Sequence, residues 1–266
     1  MSYRLRVTSI QSSNMDEVCR RISLYLGQES GLTTTFVGDI HWQEREQLWD
    51  EGEMDMMWMC GLPYIWKKRE DPSHLDLLAA PVMKADRYED RPVYFSDVIV
   101  RRSSSYQQFS DLRGQTWAYN EPGSHSGFVL PRYVLGKMEV DGGYFRRVEE
   151  AGTHLKALQW VIEGRVDAAA LDSTVLELEM HARPQRLQQV RIIDSWGPSP
   201  MPPWVIRGDI PQAVKDEVRH VLRGMHETDR GRSILDAALI QRMDPVQDEL
   251  YDAIRDMEVI ANRVEW

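Results

Sequence analysis

Ser124-His125-Ser126-Gly127 sets two hydroxyls and an imidazole within four residues, between a strand-like Thr116–Tyr119 and the apolar Phe128-Val129-Leu130. Asn120, Glu121, Pro122 and Gly123 break the strand ahead of them. Backbone N–H groups at a helix start have no intrahelical partner. With the positive end of the helix dipole and two serine hydroxyls they can hold a tetrahedral oxyanion without any arginine. The same residues also suit simple capping, with Ser124 as the N-cap and nothing more. His154 opens a second predicted helix, where an imidazole can cap, bond a carbonyl or face a ligand. Tyr64 and Tyr94 fall at predicted strand ends, positions from which a tyrosine packs a core edge and keeps its hydroxyl accessible.

The elements that must carry these residues follow a βα rhythm. Tyr3–Ile10 alternates as a strand, Met15–Leu26 repeats apolar residues every three or four, and Thr33–Val37 precedes a helix near Trp42–Glu51. Gly52 ends that helix before a strand over Met54–Cys60, and Leu75–Met83 and Pro92–Val100 read as two more strands. The rhythm restarts with a helix at Tyr106–Leu112, the strand Thr116–Tyr119 and a helix over Gly127–Lys137. A helix over Thr153–Glu163, Gly164 and a strand at 166–172 then copy the earlier helix, Gly52 and strand. Asp55 and Asp167 follow those two glycines, where a carboxylate serves as an N–H acceptor rather than as a ligand contact. After a strand at Val190–Ile193, the prolines of SWGPSPMPPWVI favour an extended crossing, and Pro211–Glu227 and Pro245–Ile260 read as closing helices. Glu177 to His181 reads as a solvated helix face. Repeated βα units predict an α/β fold on mainly parallel sheets, with ligands at strand carboxyl ends near crossovers.

Composition narrows the classes of function. Lys+Arg 32 against Asp+Glu 42 gives a net charge of −10, and no basic stripe interleaved with aromatics is present, so no nucleic-acid partner is expected. The apolar runs are too short to cross a bilayer, and the first residues lack the apolar core, about 7–15 residues long, of a secretory leader. As it stands the chain is therefore expected in the cytoplasm, and in the periplasm if a leader has been removed. Cys19 and Cys60 read as buried thiols. No nucleotide-binding glycine loop, serine nucleophile elbow or Cys/His cluster at metal spacing occurs, so no cofactor or metal is expected.

Five segments in order carry a family resemblance: GEMDMMWMCGLPY at 52–64, VYFSDVIVR at 93–101, DLRGQTWAYNEPGSHSGFVLP at 111–131, GTHLKALQWVIEGRVDAAALDS at 152–173 and GPSPMPP at 197–203. Together the chain resembles the phosphonate/phosphite/phosphate-binding proteins of ABC importers. The resemblance implies a two-lobed type II periplasmic-binding-protein-like fold with a ligand cleft between lobes, lobe 1 from 1–97 and 200–266 and lobe 2 from 98–199. It implies that Ser124, His125, Ser126 and Gly127 match the family's Ser-Thr-Ser-Gly anion motif, with histidine standing where the family has threonine. Tyr94 and His154 match retained ligand contacts, Trp42 stands where the family has a tyrosine, and Asp172, with Asp194-Ser195-Trp196, lies near carboxylates that recognise a ligand amine. Tyr64 joins this set, while Trp58, Trp196 and Trp204 are stacking surfaces or core.

The resemblance implies a non-catalytic solute-binding protein for a small oxyanion-bearing metabolite, with an ABC permease as partner if the chain is exported and no insertion into the membrane. The alternative is a cytoplasmic enzyme or metabolite sensor on the same fold, in which His125 and His154 would do acid–base work.

Overall fold

Alternating buried Leu5 and Val7 build the first strand, β1 (Arg4–Ser9), and apolar residues on one face build α1 (Asp16–Ser30), which ends on the left-handed Gly31. β2 (Thr33–Val37), α2 (Trp42–Asp50), β3 (Met56–Trp58), α3 (Gly61–Glu70), β4 (Leu75–Met83) and β5 (Val93–Arg101) follow. Next come β6 (Thr116–Tyr119), a π turn over His125–Val129, α4 (Leu130–Lys137), β7 (Arg147–Glu150), α5 (His154–Glu163), β8 (Ala168–Asp172) and α6 (Ser173–Ala182). β9 (Val190–Pro200), β10 (Trp204–Arg207), α7 (Gln212–Gly224), α8 (Asp229–Asp236), β11 (Ile240–Asp244) and α9 (Asp252–Ala261) complete the chain. This computed structural model describes residues 3–140 and 142–266.

The chain forms two units, one from the residues up to Val93 with Pro200–Tyr251, the other from Tyr94–Ser199 with Asp252–Trp266. The expected assignment of all of 200–266 to the first lobe is corrected at its end. α9 packs on α4, and Arg132 donates from Nε and Nη2 to the Val264 carbonyl at 3.0 and 2.8 Å, which ties the C-terminal segment to the second unit.

In the first unit the strand order is β11-β4-β10-β3-β1-β2, with β1 parallel to β2 and β3, and β10 antiparallel to β3 and β4. Trp204 lies directly opposite Trp58, and their rings stack at 5.5 Å between centroids with both side chains buried. That pair is core rather than a stacking surface for a ligand. The stretch expected as one strand over Met54–Cys60 is shorter, because Gly61 opens α3. Tyr64 therefore stands on a helix rather than at a strand end. Its hydroxyl donates to Asp248 Oδ1 at 2.6 Å, and its ring packs on Tyr251.

In the second unit the order is β7-β6-β8-β5-β9, with β6 parallel to β7 and β8, and β5 antiparallel to β8. Both faces of this sheet are covered. Ile99, Ala169 and Leu171 belong to the cluster under α5, and Val98, Val100, Ala168 and Ala170 to an aromatic cluster with Trp117, Tyr144 and Phe145. The period of two explains why these strands read as continuous apolar runs. Trp196 packs on Phe109 and donates to Asp194 Oδ2, so it too is part of this cluster. The supposed solvated face around Glu177 to His181 is corrected by Glu179, which is buried in ion pairs with Arg183 at 2.6 Å and Arg186 at 2.9 Å.

The repeated glycine and aspartate do the same work in both units. After Gly52, with φ +80°, Asp55 accepts the Arg6 N–H at 2.7 Å. After Gly164, with φ +71°, Asp167 accepts the Thr116 N–H at 2.8 Å, the Thr116 hydroxyl at 2.6 Å and the Tyr106 hydroxyl at 3.0 Å. Each carboxylate ties an incoming strand to its neighbour, Asp55 at a residue within β1 and Asp167 at the first residue of β6. Replacing Asp167 with Ala strands the Thr116 N–H and hydroxyl, while the Tyr106 hydroxyl keeps Gln115, and is expected to cost about 1–3 kcal/mol in urea unfolding; a loss no larger than that of the exposed Glu163→Ala would contradict this role.

Candidate functional site

β6 runs out at Tyr119 and β8 at Asp172, where the antiparallel β5 begins, so one edge of the second sheet gathers Asn120, Asp172, Ser96 and Tyr94. The π turn stands over this edge. It is widened by one residue relative to an α-turn, with Val129 N–H donating to the Ser124 carbonyl and Leu130 N–H to that of His125. The N–H groups of residues 125 to 128 therefore precede the first intrahelical bond, and α4 continues the same helix to Lys137. Ser124 caps it by accepting the Gly127 N–H at 3.0 Å, which realises the capping expectation. Ser96 Oγ holds the turn from below by donating to the Ser126 carbonyl at 2.7 Å.

Gly127 is required here. A Cβ at this position would overlap Asn120 Oδ1 and come within 3.0 Å of Asn120 Cγ and 3.3 Å of His154 Cε1. The bare Cα lets the end of β6 and the start of α5 converge on the turn.

Both histidines of the sequence reading are brought into this cluster. His125 Nε2 lies 2.9 Å from Ser199 Oγ on β9, and its ring meets Tyr94 edge to face at 6.3 Å. His154 does not cap α5, because Thr153 does so by accepting the Lys156 N–H at 3.1 Å. Its Nε2 instead lies 3.3 Å from Ser126 Oγ. Burial alone pushes the His125 imidazole down to about 3 and that of His154 down to about 4, so both are neutral near pH 7. Nδ1 of each is buried and has no partner within the protein.

The other expected residues have other surroundings. Asp172 caps α6, accepting the Thr174 N–H at 2.8 Å, the Thr174 hydroxyl at 2.7 Å and the Val175 N–H at 3.4 Å. Burial holds its carboxyl up at about 6 despite those bonds. Trp42 is half-buried at the first position of α2 in the first unit, and Tyr64 is held within that unit by Asp248. Asp194 receives the Ser195 N–H and the Trp196 indole. Sequence reasoning missed Asn120, read only as a strand breaker, and Ser199 and Asp97, which have no local signature. Asp97 is buried and receives the Ser195 hydroxyl. Among the described residues, no group of three or more His, Cys, Asp or Glu side chains could hold a metal ion.

The arrangement can bind an anion without a cation. The buried polar residues described for the second unit include no lysine or arginine, leaving N–H groups, hydroxyls and neutral imidazoles as the donors.

The histidines also set a pH dependence. A base whose folded pKa lies below its usual value loses native stability as pH falls, because the unfolded chain takes up protons first. The contribution of His125 and His154 is complete above pH 6.5 and declines toward 4, while the raised Asp172 acts oppositely over about pH 4 to 6. Two imidazoles outweigh one carboxyl. Urea stability is expected to drop from pH 6.5 to 4, and the drop to be shallower in His125→Gln; equal slopes would contradict the burial of this imidazole.

A family model described as ABC transporter, phosphonate, periplasmic substrate-binding protein matches residues 7–251. The phosphonates-binding periplasmic protein of Escherichia coli K12 is 27% identical over 150 residues, 54% of this chain, and that match spans only 44% of the relative's length. Two solved structures share the fold over 98% of this chain at 18% identity. One is PhnD1 of Prochlorococcus marinus in complex with methylphosphonate, at a TM-score of 0.85 and 99% coverage of its chain. The other is a binding-protein component of a phosphonate ABC transporter of Pseudomonas aeruginosa, at 0.84 and 87%.

Proposed function

Since the chain belongs to the ABC-transporter phosphonate periplasmic substrate-binding protein family, we propose that it is a non-catalytic binding protein for a small phosphonate- or phosphate-like oxyanion. The observation that carries this reading is the π turn itself. Its leading N–H groups and the Ser124 and Ser126 hydroxyls stand at a glycine whose bare Cα leaves room for Asn120 and for His154, which reaches Ser126, while His125 packs against Tyr94 and Ser199. Tyr94 is the aromatic wall beside His125. The methylphosphonate complex of the Prochlorococcus relative supports the choice of ligand class.

In this reading the donors match the oxygens of a tetrahedral anion, and the helix dipole supplies part of the charge complement. The histidine in place of the family's threonine keeps a donor in the motif and anchors it to β9 through Ser199. The protein acts in the periplasm and hands its ligand to an ABC permease, in keeping with its family. Among the described residues no helix is long and apolar enough to cross a membrane.

A thermal-shift titration with methylphosphonate tests the reading, since a ligand of the native state raises the melting temperature once its concentration passes Kd. Replacing both Ser124 and Ser126 with Ala is expected to weaken binding by about 1–3 kcal/mol, at about 0.5–1.5 per lost hydrogen bond. Unchanged affinity in the folded double variant would overturn the proposed seat.

A further inference from the structure

Asn120 carries a polar atom that neither the fold nor the anion seat has used. Its backbone carbonyl accepts the Gly152 N–H at 2.6 Å, which fixes the residue at the end of β6. The residue is 6% exposed, and its side chain lies against the bare Cα of Gly127, where any Cβ would meet it. Oδ1 has no partner within the protein. A carbonyl oxygen only accepts, so it adds nothing to a site that offers donors to a fully ionised oxyanion and repels the oxygens of one. A ligand oxygen that still bears its proton would satisfy it.

Charge points the same way. The buried polar residues described for the second unit include no lysine or arginine, whereas Asp97 and Asp172 are buried on neighbouring strands. The buried titratable groups on the turn and the elements around it are His125, His154 of α5, Tyr94 and Asp97 of β5, Asp172 of β8 and Glu258 of α9. The cations of these elements are not buried; Arg101 of β5, Lys137 of α4 and Lys156 of α5 are exposed, and the half-buried Arg132 of α4 lies over the Phe128 ring and donates to the Val264 carbonyl. A dianion buried there would lack a buried counter-charge, and the cost of burying charge without one rises steeply with its size.

We infer that the seat selects a singly charged oxyanion that carries its own proton, a phosphonate or phosphate monoanion whose P–OH donates to Asn120 Oδ1, over a sulfonate, which has no such proton. This rests on the oxyanion reading above and adds the protonation state to it. The remaining ligand oxygens take the turn N–H groups, the Ser124 hydroxyl and one proton from the Ser126–His154 pair, given by Nδ1 when Ser126 donates to Nε2 and by the Ser126 hydroxyl when Nε2 carries the proton.

The test compares methylphosphonate with methanesulfonate, similar in shape and differing in that proton, by calorimetry on the wild-type protein at about pH 7 and about pH 9. Both conditions lie above the range of His125, His154 and Asp172, so the change in ionisation falls on the phosphonate. Methylphosphonate is expected to bind roughly tenfold or more tighter at the lower pH, the scale of one buried acceptor left unpaired. Its advantage is expected to shrink at the higher pH, while methanesulfonate stays level. Asn120→Ala is expected to bring the two ligands close together, and the wild-type pH comparison stands without that variant should it fail to fold. Equal binding of both ligands at pH 7, or phosphonate affinity that rises with pH, would overturn the selection while leaving the oxyanion seat standing. Binding of neither would overturn the seat itself and this inference with it.

Discussion

The second unit is organised around the missing side chain at Gly127. The end of β6, the π turn and the first turn of α5 all approach that Cα, and Asn120 and His154 fill the volume a Cβ would occupy. Once that contact is made, the rest of the cluster follows from it. Ser126 is carried to His154, Ser124 turns back to cap Gly127, and His125 packs against Tyr94 and Ser199. Close packing allows few alternatives in an interior this dense.

The electrostatics of the site follow from burial more than from charge. The chain is acidic overall, with a net charge of −10, yet the proposed ligand is an anion. Oriented dipoles reconcile the two, because N–H groups at a helix start favour negative charge without an ionised side chain. Burial keeps both imidazoles neutral, which preserves them as hydrogen-bonding groups and prevents them from becoming an indiscriminate positive patch. Specificity then depends on counting donors and acceptors, since an unpaired polar atom in a dry site costs more than a pair contributes.

The scaffold secures this arrangement with repeated devices. The Asp55 and Asp167 carboxylates each bind an N–H of a neighbouring strand, one per unit. Packing also runs from the C-terminal end of the chain to the turn, where Trp266 meets Phe128 at 5.5 Å and Tyr119 at 5.7 Å. The segment that rejoins the second unit thus braces the helix that starts at the candidate site.

Much of this was legible in the residues alone. Periodicity located most strands, glycine and aspartate marked the two strand ties, and Ser124 to Gly127 after a strand-breaking run marked the turn, because each of these signals is local along the chain. The family resemblance brought in His154 and Tyr94. Tyr64 was placed wrongly, since whether Gly61 ends a strand or opens a helix is decided by what packs around it, and the end of the chain was given to the wrong unit for the same reason. Asn120, Ser199 and Asp97 were not legible, because their roles arise from contacts to residues distant in sequence. Sequence by itself determined the α/β fold and the position of the candidate turn, whose physics is that of one strand, one turn and one helix start. Tertiary structure alone decided which buried polar atoms are satisfied and which are left for a ligand, because that balance is set by packing among strands and helices that only the folded chain brings together.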